Sequence, residues 1–165
     1  MSFDRAKATE EIRHILFSYP EYIDRGNIDG VVGLLSGVKM ANANGVRAER
    51  IPESDLPTLS AEQVREMYTS SVIFYEDGLP HTKHLITNFD IKFSDDGQHA
   101  ETRSYYVVLQ ALEDFPLQIV ITGRYEDEYR VEDGEWRLKI RREFADLVGD
   151  LSHHVTPEVL AQLTH

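Results

Sequence analysis

The chain has 165 residues, a formal net charge of −12 and no cysteine. Its length fits one domain with a substantial core, and its negative charge argues against nucleic acid or an anionic membrane surface as a partner. Without cysteine, the chain can form no disulfide, zinc–thiolate site or iron–sulfur cluster, and it has no thiol nucleophile.

The first predicted elements are helical. Five apolar residues recur at helical spacing and predict a helix over residues 4–24: Ile12, Ile15, Leu16, Tyr19 and Ile23. Pro20 should kink this helix, because proline removes a backbone donor. The same N-terminal stretch lacks the apolar core of a signal peptide, and no run approaches the ~20 apolar residues of a membrane span. We therefore expect a cytoplasmic protein.

Gly26 is suited to end the first helix, and Asn27 can cap a short second one. "GVKMANANG" is typical of a short strand, and residues 47–59 of a loop. Ser60 and Gln63 have the spacing of a capping box, which predicts a third helix reaching residues 69–74.

Four long strands follow: "KHLITNFDIKF", "HAETRSYYVVLQALE", "PLQIVITGRYEDEYRV" and "WRLKIRREFADLV". Asp133-Gly134 is a hairpin signal between the last two. Helices followed by consecutive strands predict an α+β fold, with a curved antiparallel sheet wrapped around the N-terminal helices. We expect residues 1–165 to form one domain, with 150–165 as a tail or a short helix beginning at Pro157.

Two charged runs interrupt the strands. Glu126, Asp127 and Glu128 stand in the third strand, and "RLKIRR", residues 137–142, in the fourth. Both are expected to lie on solvated faces, as charge runs usually do.

His81 and His84 stand where the first long strand begins. Side chains three apart on a strand point to opposite faces, so this pair cannot chelate one metal ion, and we expect no bound metal or other cofactor. His84 shares a face with Ile86 and Asn88, and the other face, beginning with Leu85, is expected to be core. His84 therefore faces either a polar cavity or solvent.

Asp24 lies in the last turn of the first helix, where the helix dipole disfavours a negative charge. Arg25 could neutralise it. Alternatively, a histidine could be its partner, because a carboxylate bonded to one ring nitrogen fixes the tautomer and stabilises the imidazolium. The chain also has many tyrosines, most of them expected in the core or at its edge, and one or two in a cavity could donate a hydrogen bond to a carbonyl oxygen.

The order of elements, together with "DRGNID", "TKHLITNFDI" and "GRYEDEYRVEDGEWRL", resembles SnoaL-like proteins of the nuclear transport factor 2-like superfamily. The resemblance spans about residues 8–147 and implies a cone-shaped, cystatin-like α+β barrel around one deep apolar pocket. Within this superfamily, the sequence is most similar in pattern to the dehydratase branch, which includes scytalone dehydratase, bile-acid 7α-dehydratase and hexachlorocyclohexane dehydrochlorinase.

That branch shares an aspartate at the end of the first helix and a histidine at the start of the strand after the middle helix. Asp24 and His84 occupy those positions, so the resemblance implies an Asp–His dyad with His84 as general base. It further implies that Tyr19 and Arg141 hold the substrate oxygen. The second acid or base that the branch carries on the next strand is missing from "RSYYVVLQALE". For the rest of the pocket we predict four substrate-binding residues: Tyr68, Tyr75, Asn88 and Tyr106.

These observations predict a cofactor-independent lyase or isomerase acting on a hydrophobic cyclic carbonyl or hydroxyl compound, in a homodimer or homotrimer. Two alternatives stay open. One is a non-catalytic protein of this fold that binds a small molecule or builds an oligomer, because a fold alone does not give function. The other is the β subunit of an aromatic-ring dioxygenase.

Overall fold

The computed structural model describes residues 3–163, which form four α-helices, one short 3₁₀-helix and one five-stranded sheet. In chain order the elements are α1 (Arg5–Asp24), α2 (Ile28–Leu35), β1 (Lys39–Asn44), the 3₁₀-helix (Glu53–Asp55), α3 (Ala61–Ser71), β2 (Thr82–Phe93), β3 (His99–Leu112), β4 (Phe115–Glu132), β5 (Glu135–Val148) and α4 (Pro157–Leu163). No helix in this range is long and apolar enough to cross a membrane.

The sheet has the strand order β1-β5-β4-β3-β2, with β2 to β5 antiparallel and β1 parallel to β5. Helix α1 contacts both β2 and β5, although two strands separate them, so the sheet must curl around the helix. It is not closed, and β1 and β2 form its edges. The predicted cone-shaped α+β architecture with a curved sheet around the N-terminal helices is thereby confirmed.

Helix α1 begins where the Asp4 side chain accepts a hydrogen bond from the Lys7 backbone N–H at 3.0 Å. It continues through the buried Pro20 and ends at Asp24, where Gly26 takes a φ of 64° that glycine adopts without strain. Its apolar stripe is buried against the sheet. This geometry places the Asp24 carboxylate at the inner end of the helix, beside the start of β2.

A bulge in β2 corrects the expected assignment of its faces. The register against β3 shifts between Thr87 and Asp90, and Asn88 has a φ of 51°. The extra residue reverses the alternation of side chains, so His84 and the later residue Phe89 both lie on the core side. Leu85, expected in the core, is instead exposed.

The two charged runs are only partly solvated, since Arg137 is exposed but four of the charged side chains are buried in pairs. Asp127 pairs with Arg141 across β4 and β5 and binds its guanidinium at 3.0 and 2.7 Å, with both side chains fully buried. Glu128 binds Arg142 at 2.8 Å beneath the loop after β1, whose Ile51 carbonyl accepts from Arg142. Sequence alternation could not reveal these pairs, because each charge is compensated by a partner that only the sheet register supplies.

The segment after β5 folds back over the open end of the sheet. Val155 forms an isolated bridge with Val72, and the Ile73 N–H donates to the His154 carbonyl. The buried Gln110 side chain donates to the His153 carbonyl at 2.8 Å. These bonds bury the His154 ring, and α4 follows from Pro157.

We expect Asp127→Ala to destabilise the protein by about 3–5 kcal/mol, because it leaves the Arg141 guanidinium buried without a counter-charge. The measurement is urea unfolding at pH 7.5. Asp127→Ala combined with Arg141→Met should recover much of that loss. Glu135→Ala, which breaks an exposed pair with Arg137, should change stability by less than about 0.5 kcal/mol. A loss of similar size in both single variants would contradict this account.

We also expect His154 to make stability fall with acid. Burial, reinforced by the charge of His84, lowers the pKa of His154 from 6.5 to about 4. Between these values the unfolded chain takes up a proton at this imidazole that the folded chain does not. The contribution of His154 is therefore complete well above pH 6.5 and declines as pH falls, by about 1.4 kcal/mol at pH 5.5 and about 3 kcal/mol at pH 4.

Urea unfolding from pH 7.5 to pH 4 tests this expectation, with His154→Gln as the comparison. The variant should lose less stability over the same range than the wild-type protein. Parallel pH profiles for the two proteins would show that His154 makes no such contribution.

Candidate active site

A cavity of about 200 Å³ lies between α1, α3, the concave face of the sheet and the C-terminal segment. Much of its wall is apolar, with residues such as Ile23, Met67, Val108 and Leu151. A smaller set of polar side chains also lines it: Tyr19, Asn42, Asn44, Tyr68, Ser71, His84, Tyr106, Glu143 and His154. An apolar cavity with a few converging polar groups is the usual form of a small-molecule site.

Asp24 and His84 meet at the edge of this cavity. The Asp24 Oδ1 atom lies 2.7 Å from His84 Nδ1, and both side chains are buried. The Asp24 Oδ2 atom accepts from the His84 backbone N–H at 2.9 Å, and Thr82 Oγ1 donates to Oδ1 at 2.7 Å. Because Nδ1 is engaged, Nε2 is the ring nitrogen of His84 left for a molecule in the cavity.

The environment of Asp24 keeps its carboxylate charged. Burial raises the pKa of Asp24, but hydrogen bonds from His84 and Thr82, together with the attraction of a charged His84 ring, outweigh that effect and leave the pKa below its usual value. Arg25, the other candidate partner, instead pairs with Glu21 on the helix surface. The carboxylate is thus available to orient the imidazole and to stabilise its protonated form.

Two tyrosines from different helices meet over the dyad. The Tyr68 hydroxyl of α3 donates to the Tyr19 hydroxyl of α1 at 3.1 Å, and the Tyr19 ring lies edge-on to the His84 ring with centroids 6.1 Å apart. Burial raises the pKa of both phenols well above the usual value. Both hydroxyls therefore stay protonated, and Tyr19 can donate its proton to an oxygen atom in the cavity.

Arg141 does not line the cavity, which corrects the expectation that it holds a substrate oxygen. Its guanidinium is bound by Asp127 and lies 5.1 Å from the Tyr19 ring centroid and 4.4 Å from that of Tyr125. The arginine supports the floor of the site, since a cation over an aromatic face is attracted to it.

Of the four predicted substrate-binding residues, Tyr68 and Tyr106 line the cavity and the other two do not. Tyr75 donates its hydroxyl to the His153 carbonyl at 2.8 Å, so it holds the C-terminal segment in place. Asn88 is exposed at the β2 bulge, because the bulge turns it away from the core side. Both are therefore corrected as cavity residues.

Sequence reasoning missed Glu143 and His154, which also line the cavity. Glu143 stands two residues after Arg141 on β5, so strand alternation places both on the same face, and this was the available signal. His154 offered none, because only the fold-back of the C-terminal segment brings it to the cavity. Its ring centroid lies 6.3 Å from that of His84, and its Nδ1 is buried without a hydrogen-bond partner.

Within residues 3–163, one group of side chains has the spacing of metal ligands, and it lies away from the cavity. Potential ligand atoms of His99, Glu101 and Glu128 lie within 4.8 Å of one another. Arg50 and Arg142 already bind the Glu128 carboxylate at 2.7 and 2.8 Å. Two guanidinium groups at this position oppose a metal cation, so the group is best described as an ion-pair network.

Solved structures with the same fold come from proteins with different descriptions. One is provisionally described as the β subunit of an aromatic-ring-hydroxylating dioxygenase from Novosphingobium aromaticivorans DSM 12444, with 17% identity, a TM-score of 0.67, and 92% of this chain and 98% of that chain covered. Another, from the same organism, is provisionally described as a scytalone dehydratase, with 18% identity, a TM-score of 0.59 and 88% of both chains covered.

A third structure is that of LinA, with 12% identity, a TM-score of 0.64, and 90% of this chain and 92% of that chain covered. At these identities the likenesses establish the cystatin-like fold alone. No curated protein sequence matches the chain. The family is identified instead by a match between residues 4–142, most of the chain, and the SnoaL-like domain. The chain therefore belongs to the SnoaL-like domain family.

Proposed function

We propose that this protein is a cofactor-independent lyase or isomerase of the dehydratase type, acting on a small hydrophobic cyclic carbonyl or hydroxyl compound. The observation that carries the proposal is the 2.7 Å contact between Asp24 Oδ1 and His84 Nδ1 at the wall of the apolar cavity. The fold of a scytalone dehydratase-like protein and of LinA agrees with this class of reaction.

In this proposal His84 is the general base. With Nδ1 held by Asp24, the Nε2 lone pair takes a proton from a carbon next to a carbonyl group, and the carboxylate stabilises the imidazolium that forms. A positioned base of this kind contributes on the order of 10²–10⁴-fold in rate. Dehydration and a double-bond shift both begin with this proton transfer.

Tyr19 is the group that we assign to the substrate oxygen. It is a protonated phenol, it receives the Tyr68 hydrogen bond, and its own O–H is free to donate to a carbonyl or enolate oxygen. Donors aimed at developing negative charge are a major source of rate enhancement. Arg141 acts through Tyr19 by fixing the ring from below, and is a positioning residue in this scheme.

The cavity also limits the substrate. Its volume of about 200 Å³ lies below the roughly 300–1,000 Å³ of pockets that accept drug-sized ligands. The described residues that line the cavity include no arginine or lysine, and the Arg141 guanidinium is bound to Asp127. We therefore expect an uncharged molecule with one or two small rings.

The dyad is tested by screening hydroxylated and unsaturated cyclic ketones for a change in enone absorbance. We expect His84→Ala to lower kcat/KM by about 10²–10⁴-fold, since it removes the base. Asp24→Asn should lower it as well, because the amide cannot stabilise the imidazolium. His81→Ala is the matched control, because its ring is exposed and pairs with Asp77 on the surface. Equal turnover by wild-type protein and His84→Ala would exclude His84 as the base.

A second candidate is the β subunit of an aromatic-ring dioxygenase, favoured by the fold likeness to a protein of that description. The face of the sheet opposite the core exposes apolar side chains that could contact another subunit or a second copy of this chain, among them Tyr105, Ile119 and Leu147. A purely structural subunit would not need the ring of His84 to line a cavity, which is why we favour the lyase.

The homo-oligomer is tested by light scattering of the purified protein. We expect a dimer or trimer, and we expect Tyr105→Lys combined with Leu147→Lys to give a monomer, because charges would then face one another across the contact. Thermal unfolding of the variant controls for loss of fold. A wild-type monomer that forms a stable complex only with an iron–sulfur large subunit would favour the dioxygenase instead.

A further inference from the structure

Glu143 lines the same cavity as His84. It stands on β5, where its register partners are Tyr125 on β4 and Asn42 on β1. His84 stands on β2, and β3 and β4 separate the two strands in the sheet. Because the sheet curls around α1, two strands that are not neighbours bring both side chains to the same cavity. The cavity therefore offers a molecule both a base and a carboxyl group.

No cation neutralises this carboxyl group. Arg141, the guanidinium on the same face of β5, is bound through two nitrogens by Asp127. Among the described residues, Glu143 forms no ion pair with a nitrogen atom within 4.0 Å. Groups on every side influence it instead: Tyr19 of α1, Tyr68 of α3, His84 of β2, Tyr106 of β3, Tyr125 and Asp127 of β4, and Arg141 of β5.

The balance of these influences raises the pKa of Glu143 above its usual value. Burial raises the pKa of Glu143, and the repulsion of Asp127 adds to that effect. Arg141, a charged His84 and the Tyr106 hydroxyl act in the opposite direction without cancelling it. A carboxyl group that is kept neutral in an apolar site can donate a proton, as a charged carboxylate cannot.

The neighbouring backbone is arranged to hold Tyr106 against Glu143. A Cβ atom at Gly123 would lie 2.6 Å from the Tyr106 hydroxyl oxygen and 1.9 Å from the Phe144 carbonyl oxygen. Only glycine therefore allows the Tyr106 ring to lie across β4, with its hydroxyl 3.3 Å from the Phe144 carbonyl. This position brings the Tyr106 phenol beside the side chain of Glu143, which precedes Phe144 on β5.

We propose that Glu143 is the second catalytic residue of this site, the general acid that protonates the departing oxygen of the substrate. The inference rests on the proposed function and supplies the acid that the strand "RSYYVVLQALE" lacks. His84 and Glu143 then act on two ends of one elimination, which neither group completes alone.

The reaction balances as follows. His84 Nε2 takes the proton from the carbon next to the carbonyl, and the electron pair of that C–H bond forms the new C=C bond. The C–O bond breaks, and the departing oxygen takes the Glu143 proton to form water. Before that water leaves, the imidazolium proton passes through it to the Glu143 carboxylate. This step restores both groups and gives enone and water as products.

The test compares wild-type protein and Glu143→Gln on 3-hydroxycyclohexanone and on 3-acetoxycyclohexanone. Hydroxide needs a proton to depart, whereas acetate departs readily without one. We expect Glu143→Gln to lower kcat on the hydroxy ketone by about 10²–10⁴-fold and on the acetoxy ketone by much less. His84→Ala should be slow on both substrates, since both lose the same carbon-bound proton. Glu135→Gln, an exposed carboxyl on the same strand, should match the wild type.

Two readouts separate an acid from a residue that only maintains the cavity. The wild-type rate should fall with rising pH as Glu143 loses its proton, and Glu143→Gln should lack this decline. Infrared difference spectra of wild type minus Glu143→Gln at pH 7 should show the carbonyl band of a protonated carboxyl group, without any turnover being required.

The outcomes distinguish the two proposals. Equal losses on both ketones, or no protonated carboxyl band at pH 7, would overturn the role of Glu143 while leaving the dyad in place. Wild-type protein that turns over neither ketone, despite binding cyclohexanone by saturation-transfer NMR, would overturn the elimination in which Glu143 acts as the acid. If His84→Ala also equals the wild type across the full ketone screen, the proposed function itself fails.

Discussion

The contact between Asp24 and the start of β2 holds this site together. One carboxylate at the end of α1 accepts hydrogen bonds from the Thr82 hydroxyl and the His84 backbone N–H, and it engages His84 Nδ1. These bonds join the first helix to the edge strand that it packs against. The same interaction fixes the tautomer of His84 and leaves Nε2 for the cavity, so the helix–strand junction and the chemistry depend on one residue.

A second buried interaction supports the aromatic rings beside this junction. The Asp127–Arg141 pair lies inside the curled sheet, and Arg141 stacks against the Tyr19 and Tyr125 rings. Because Asp127 binds that guanidinium through two nitrogens, Glu143, two residues further along β5, lines the cavity without an ion pair to any residue in the described range 3–163. The arrangement separates a charged, structural carboxylate from one that can stay neutral. The pKa of a carboxyl group is set in this way by which neighbour receives the available cation.

The sequence predicted much of this fold because several local signals agreed. The apolar stripe of α1, the Ser60–Gln63 capping box and the Asp133-Gly134 turn each appear where expected. The failures have particular causes. The bulge at Asn88 changed the faces of β2, which periodicity alone cannot show, because one extra residue inverts every later position. Burial of Glu128 and Arg142 depends on a loop that covers the outer side of the sheet.

By itself, the sequence determined the elements, their order and, through the family pattern, the pairing of Asp24 with His84. Those features follow from spacing along the chain, which a sequence records directly. Only the tertiary structure decided that Arg141 binds Asp127 and that Glu143 and His154 line the cavity. The reason is physical: the environment of a charged side chain is made by residues distant in sequence, and the curvature and register of the sheet choose which of them become its neighbours.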